Sequence, residues 1–108
     1  AAAAGLDQVA AIGGGARSDL VLQTLSDALG VSMVRFADAE QGPALGAARL
    51  AMVASGDMTV AEAAETPETD RAFEPNAEET KRHARTLERW RELYRALKPF
   101  AAESAAAS

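Results

Sequence analysis

Apolar positions in the first half of the chain follow two different periods. Residues 8–12 form a short apolar run bounded by polar residues and glycine, which predicts a buried strand. A helical period follows, with Ser18 expected as its N-cap and Gly30 as its C-terminal cap. The apolar face of that helix is formed by Val21, Leu22, Leu25, Ala28 and Leu29. Residues 31–36 predict a second strand, so the order β–loop–α–β indicates two parallel strands joined by a right-handed crossover.

A second helix is predicted from Pro43 or Ala44 to Ser55, with Gly56 ending it. This segment is dense in small residues, and Gly46 inside it costs about 1 kcal/mol relative to alanine. That cost favours a tight crossing against a neighbouring element. An ordinary alanine-rich helix is the simpler alternative.

The second half begins with an acidic segment and ends in a long amphipathic helix. Residues 57–79 carry eight acidic residues and one basic residue, and beyond a short helix near 60–64 they read as a surface connection. The last helix is predicted to begin at Asn76 and to stop at Pro99. Its apolar stripe consists of Leu87, Trp90, Tyr94 and Leu97. The basic side chains on its other faces are interpreted as a solvated surface: Lys81, Arg82, Arg85, Arg89, Arg91 and Arg95.

Composition removes several classes of function. The 108 residues suffice for one small domain or for part of a larger one. A net charge of −5 argues against nucleic-acid binding, and the lack of cysteine excludes disulfides and thiolate metal sites. His83 is the one histidine, so a His-cluster metal site is excluded. No apolar run is long enough to span a membrane and no signal-peptide pattern is present, which makes the cytoplasm the expected location.

The strongest chemical signal is the corner at Gly13-Gly14-Gly15, where a strand runs into glycines and then into a helix. Such a corner lets a phosphate or nucleotide approach the backbone and the positive end of a helix. It is not a P-loop, because no Gly-Lys-Ser/Thr follows and the first lysine is Lys81. A Rossmann-like NAD(P) site stays open as an alternative, with Asp38 as the ribose-binding acid. Two features weaken this alternative: Ser18 stands at the third glycine position, and Asp38 lies slightly farther along the chain than the expected ribose-binding acid.

Several segments in a fixed order strengthen one assignment. The stretches IGGGARS (12–18), LSDALG (25–30) and GPALGAA (42–48) resemble the C-terminal lobe of the FGGY carbohydrate kinases. The closing stretches FEPN (73–76) and RWRELYRALKPF (89–100) resemble the xylulokinase branch of that family.

The resemblance implies an α/β fold: part of the C-terminal lobe of an actin-like ATPase (ribonuclease H-like) fold, with β-α-β followed by helices. Residues 1–56 would form an adenosine-binding segment and 57–75 an acidic surface connection. Residues 76–100 would form the C-terminal amphipathic helix, and 101–108 a disordered or frayed tail. The alanine-rich ends, Ala1–Ala4 included, carry no pattern, and the chain reads as the tail of something longer.

The activity implied by the resemblance is transfer of the ATP γ-phosphoryl group to a sugar hydroxyl with Mg²⁺, D-xylulose to D-xylulose 5-phosphate being favoured. Gly14, Gly15 and Ala16 would line the nucleotide, and Ser18 and Asp19 would approach the adenine. The catalytic base, the phosphate loop and the sugar contacts lie upstream in the family. No catalytic or metal-binding residue is therefore assigned here, and the chain alone is expected to be inactive.

Other interpretations of single residues are more ordinary. Asp38 and Glu40 are expected on a solvated loop rather than as an acid–base pair, and Arg17 is expected to face solvent. His83 is expected to be exposed, and Trp90 and Tyr94 to be packing residues. A different class of function also stays open: a non-catalytic module whose last helix docks on a partner. An unpaired sheet edge and an uncovered small-residue helix predict self-association, and a homodimer of the parent is compatible with the sequence.

Overall fold

The computed structural model describes residues 5–107, so the expectations for Ala1–Ala4 and Ser108 lie outside the described part. The order of elements is mixed α/β. The strands are β1 (Gln8–Ala11), β2 (Ser32–Phe36) and β3 (Thr69–Phe73). The helices are α1 (Asp19–Leu29), α2 (Gly42–Ser55), α3 (Val60–Ala63) and α4 (Ala77–Ala106). Short 3-10 turns at Gly14–Arg17 and Ala39–Gln41 follow β1 and β2.

The sheet of the described residues has three strands in the order β1-β2-β3. β1 runs parallel to β2, with Gln8 opposite Ser32 and Ala11 opposite Arg35, which confirms the predicted parallel pair. β3 runs antiparallel to β2 and was not predicted. The interpretation of residues 57–75 as surface connection alone is therefore wrong over β3, because Phe73 at its end is 2% exposed and belongs to the core.

Helix α1 begins and ends as its cap residues predict. The Ser18 hydroxyl accepts a hydrogen bond from the backbone N–H of Val21 at 3.2 Å, which satisfies one free donor at the helix start. Gly30 ends the helix with φ +68°, in the left-handed region. A Cβ at Gly30 would lie 3.3 Å from Cγ2 of Thr80. Glycine thus suits the left-handed turn and also leaves room for Thr80 of α4 close beside it.

The core is small and lies between α1 and the sheet. Leu22 from α1, Met33 from β2 and Phe73 from β3 pack together, with Val9 and Ala11 of β1 against them. All three strands therefore contribute side chains that pack against α1. The three core side chains, Leu22, Met33 and Phe73, are 4% exposed or less.

Two buried polar residues of α1 connect it to the segment that follows β3. The Ser26 hydroxyl lies 2.7 Å from the carbonyl oxygen of Val31 and 2.9 Å from that of Phe73. Oδ1 of Asp27 accepts from the backbone N–H of Asn76 at 2.8 Å. Since buried polar groups are costly without partners, these bonds fix where α4 starts relative to α1. Asn76, at which α4 was predicted to begin, caps the helix by accepting from the N–H groups of Glu78 and Glu79.

Helix α2 has the predicted bounds to within a residue or two. Gly42 at its start lies against Ile12, but the small residues farther along the helix do not form a close crossing with another described element. None of its residues is buried, and no described atom lies within 4 Å of a Cβ built at Gly46. The predicted tight crossing is therefore not formed within the described part of the chain.

Helix α4 passes through Pro99 and ends at Ala106. The prediction that Pro99 stops the helix is wrong. Residues 101–106, predicted as part of a disordered or frayed tail, continue the helix. Proline removes the bond to the carbonyl of Arg95, four residues earlier. Both residues are exposed, so water can satisfy that carbonyl.

The apolar stripe of α4 is not packed as predicted. Trp90 and Tyr94 are 59% and 54% exposed, and their rings stack on each other with centroids 5.9 Å apart. His83, expected to be exposed, is partly buried and lines a groove with Ala28 and Leu29 of α1. The first turns of α4 therefore lie against α1, and the stripe farther along it faces outward.

Candidate functional site

The glycine corner is a tight backbone turn whose first residue needs glycine. Gly13 has φ +92°, a conformation that side chains rarely adopt. Its N–H donates to the carbonyl of Ala39 at 2.9 Å, and its carbonyl accepts from the N–H of Ala16 at 3.1 Å. The corner is thus tied to the turn that follows β2.

The five predicted nucleotide contacts fall into two groups. Gly14 and Gly15 are exposed, and beyond their chain neighbours no described atom lies within 4 Å of a Cβ built at either one. The backbone there is open to an approaching ligand. Ala16 is 2% exposed, so its methyl group faces the interior and only its backbone remains at the corner.

Ser18 and Asp19 hold the start of α1, and both already have protein partners. Ser18 is the N-cap described above. Oδ1 of Asp19 accepts from Nη1 of Arg35 at 2.7 Å, and Oδ2 accepts from Nη1 of Arg71 at 2.5 Å. The hydrogen bond from Arg35, reinforced by the charge of Arg71, lowers the pKa of Asp19 below its usual range. Asp19 is therefore a charged carboxylate with both oxygens engaged.

Arg35 is the central member of this group, and sequence reasoning missed it. Its Nε donates to Oδ2 of Asp70 at 2.6 Å, and its Nη1 donates to the carbonyl of Ala16 at 3.1 Å. Hydrogen bonds with Asp19 and Asp70 raise the pKa of Arg35. A cation inside a predicted strand was the signal available in the sequence, but Asp70 and Arg71 lie on a strand that was not predicted.

A polar cleft of about 410 Å³ opens beside this group. Its lining includes Arg17, Arg35, Asp38, Glu40 and Asp70. Arg17 forms an ion pair with Glu40, which raises the pKa of Arg17 through their hydrogen bond. Arg17 is exposed, as predicted, with its side chain 73% accessible. The cleft thus lies between the glycine corner and the turn after β2.

A second, mainly apolar cleft of about 380 Å³ lies on the α2 side of that turn. It shares the turn residues 36–39 with the polar cleft and adds Leu45, Gly46 and Leu50 of α2. The surroundings of the turn after β2 are therefore charged on one side and apolar on the other.

Neither a metal cluster nor a membrane span is found among residues 5–107. No group of three or more histidine, aspartate or glutamate side chains in that range could hold a metal ion. No helix of the described residues is long and apolar enough to cross a membrane.

Comparison with known proteins decides the family. Residues 2–55 match the model of the C-terminal domain of the FGGY family of carbohydrate kinases. The chain belongs to the FGGY family of carbohydrate kinases. The matched residues contain β1, the glycine corner, α1, β2 and all of α2, so the candidate site lies inside the family domain apart from Asp70.

Solved structures extend the similarity over nearly the whole chain. Xylulose kinase from Lactobacillus acidophilus matches 94% of the chain with a TM-score of 0.72 and 26% identity. Gluconate kinase from the same organism matches 84% with a TM-score of 0.68 and 26% identity. The chain corresponds to 20% and 18% of the lengths of those two kinases. No curated protein sequence matches significantly.

The FGGY assignment confirms the predicted resemblance and the mixed α/β fold of an actin-like ATPase C-terminal domain. It also removes the Rossmann alternative at the level of fold. The antiparallel β3 beside β2 agrees with this, because a Rossmann half continues with parallel strands.

Proposed function

We propose that this chain is the adenosine-facing C-terminal part of a longer kinase that transfers the γ-phosphoryl group of ATP to a sugar hydroxyl. The observation that carries the proposal is the open backbone at Gly14 and Gly15, inside the matched FGGY domain. ATP, once bound, supplies the phosphoryl group. The proposed work of this chain is to bind and orient the nucleotide.

Each residue of the corner has a proposed part in that binding. Gly14 and Gly15 let the nucleotide lie against the main chain, and the N-terminal end of α1 provides a positive potential. Ser18 keeps α1 capped. Asp19, being charged and doubly hydrogen-bonded, acts by holding Arg35 in place rather than as a free acceptor for adenine. Ala16 contributes through its backbone.

The described residues do not fit Mg²⁺, since no carboxylate cluster in that part of the chain could hold it. The metal, the catalytic base and the sugar contacts are therefore proposed to belong to other parts of the kinase. On this proposal residues 1–56 carry the nucleotide corner, and the 108-residue chain alone is inactive. The kinase would work in the cytoplasm, and a homodimer stays a prediction.

D-xylulose is the proposed sugar. It is supported by the closing helix, which resembles the xylulokinase branch, and by the similarity to a xylulose kinase. The similarity to a gluconate kinase at the same identity makes gluconate the second candidate. Both belong in the same assay.

The test is steady-state kinetics of the full-length gene product with ATP and either D-xylulose or gluconate. Gly15→Val places a branched side chain on the open backbone, and we expect the KM for ATP to rise about tenfold or more while the KM for sugar stays within about twofold. Ala54→Val is the control, since it puts the same side chain at an exposed position of α2 that lines neither cleft. An unchanged KM for ATP in Gly15→Val would contradict the assigned corner. Binding of NAD(P) instead of ATP by the wild type would overturn the kinase proposal.

A further inference from the structure

We propose that Arg35 is a positioning residue that clamps the glycine corner in the shape needed to bind the nucleotide. That the bound ligand is a nucleotide rests on the proposed function. The clamp itself rests on the hydrogen bonds that Arg35 makes in the structure. The Arg35 side chain is 18% exposed. It donates to three acceptors from three different segments: the carbonyl of Ala16, Oδ1 of Asp19 and Oδ2 of Asp70.

The two open glycines lie between two anchored residues. On one side, the N–H of Gly13 is bound to Ala39. On the other, the carbonyl of Ala16 is bound to Arg35, which stands on the central strand of the sheet. Glycine has the largest backbone freedom of any residue, so Gly14 and Gly15 keep one conformation only if their surroundings impose it. Arg35 supplies the anchor on the α1 side.

The chemistry of the guanidinium suits this role. A planar fork with five N–H donors can hold acceptors from several segments at fixed angles. Asp19 and Asp70 hold the fork itself in place, from α1 and β3 respectively, so that one N–H points at Ala16. A lysine at position 35 would keep the charge and lose the fixed geometry.

Arg71 provides an internal control. It binds the same carboxylate, Asp19, at 2.5 Å, and its guanidinium lies 5.0 Å from the centre of the Phe73 ring, over which Arg35 also lies at 5.6 Å. Among residues 5–107, Arg71 makes no hydrogen bond to the carbonyl of Ala16, which Arg35 binds. An ionic network that only stabilises the sheet would respond similarly to loss of either arginine, whereas a clamp on the corner responds to loss of Arg35.

The first experiment uses the full-length enzyme and compares Arg35→Met, Arg35→Lys and Arg71→Met. We expect Arg35→Met to raise the KM for ATP about tenfold with the KM for sugar unchanged, because misplacing a binding group weakens the interactions that depend on it. Arg35→Lys should recover part of the loss, and Arg71→Met should stay within about twofold of wild type. Equal effects of Arg35→Met and Arg71→Met, or an unchanged KM for ATP in Arg35→Met, would overturn the proposal.

A second measurement does not depend on ATP. Hydrogen–deuterium exchange of a peptide spanning residues 13–18 should be faster in Arg35→Lys than in wild type and unchanged in Arg71→Met. If the wild-type enzyme uses no ATP and this difference is still seen, the proposed function fails and the clamp stands. If exchange is the same in all three proteins, the clamp is wrong whatever the activity. Should Arg35→Met not fold, Arg35→Lys carries both measurements.

Discussion

At the residue scale, the main feature is a pair of like charges that the sheet places opposite each other. Arg35 of β2 and Arg71 of β3 are register partners, and two cations in that position repel. Asp19 resolves the repulsion by giving one carboxylate oxygen to each arginine. The buried Phe73 ring lies beneath both guanidinium groups and adds an attraction to each. One acidic residue at the start of α1 thus allows β2 and β3 to pair with two arginines opposite each other.

Replacing Asp19 by asparagine should therefore destabilise the 108-residue chain at neutral pH. The pKa of Asp19 is lowered in the folded state, so its contribution is present above the unfolded-state pKa of about 3.9. It is lost as the pH falls through the lower folded-state pKa. We expect Asp19→Asn to reduce the free energy of unfolding at pH 7 and to flatten its fall in acid. Urea unfolding between pH 7 and pH 2 measures both.

The acid dependence should not vanish in that variant. The pKa of Glu62 is also lowered, first by the backbone N–H of Thr59 and then by its hydroxyl, which adds a contribution of the same sign. Glu92→Gln, at an exposed carboxylate of α4, is the control. If Asp19→Asn and Glu92→Gln have the same pH profile, Asp19 does not have the role assigned to it.

The glycine corner and its cap could be predicted because they are local. Gly13 and Ser18 act through backbone angles and hydrogen bonds within a few residues, which a sequence displays directly. The arginine clamp could not, because Arg35 meets Asp70 only after β3 has paired with β2. A site assembled from distant segments can be predicted only once the pairing register of the strands is known.

At the element scale, periodicity predicted the bounds of α1, β1, β2 and α2 closely and failed on β3. It overestimated burial, because β1 has no buried residue and Val21, Leu25 and Leu29 of α1 are exposed. The sequence TDRAF of β3 is exposed at its first four positions and buried only at Phe73. An edge strand with one core side chain shows little of the alternation that identifies strands. The acidic residues around it in the sequence therefore led to the prediction of a loop.

Pro99 offers a test at the same scale. Proline inside a helix costs about 3 kcal/mol relative to alanine, yet α4 continues for seven residues beyond it to Ala106. We expect Pro99→Ala to raise helical ellipticity and to slow amide exchange over residues 100–106. The cooperative unfolding of the core should change little, because α4 has no buried residue. Ala96→Gly, a helix-weakening change one turn earlier, should act in the opposite direction, and equal exchange in wild type and Pro99→Ala would contradict this account.

At the scale of the whole molecule, the chain is extended. Its radius of gyration is 19.8 Å, whereas a compact domain of about this length has roughly 13 Å. The cause is α4, which is about 45 Å long at 1.5 Å per residue and is exposed at every position after His83. The exposed apolar side chains of its outer part are Trp90, Leu93, Tyr94, Leu97 and Phe100. The core is small and the exposed apolar surface is large. That surface favours contacts with other protein chains.

That imbalance leads to the expectation that the 108-residue chain self-associates. Contiguous exposed apolar patches drive association, and β1 is an edge of the described sheet, which can pair with another strand. Sedimentation velocity over rising protein concentration should show a growing mean mass. Leu97→Glu, which puts a charge into the apolar patch, should lower it. Ala102→Glu, with the same charge on the opposite face of α4, should leave it as in wild type. If Leu97→Glu associates as strongly as wild type, the β1 edge becomes the contact to test, and a monomer at every concentration would show that neither surface drives association.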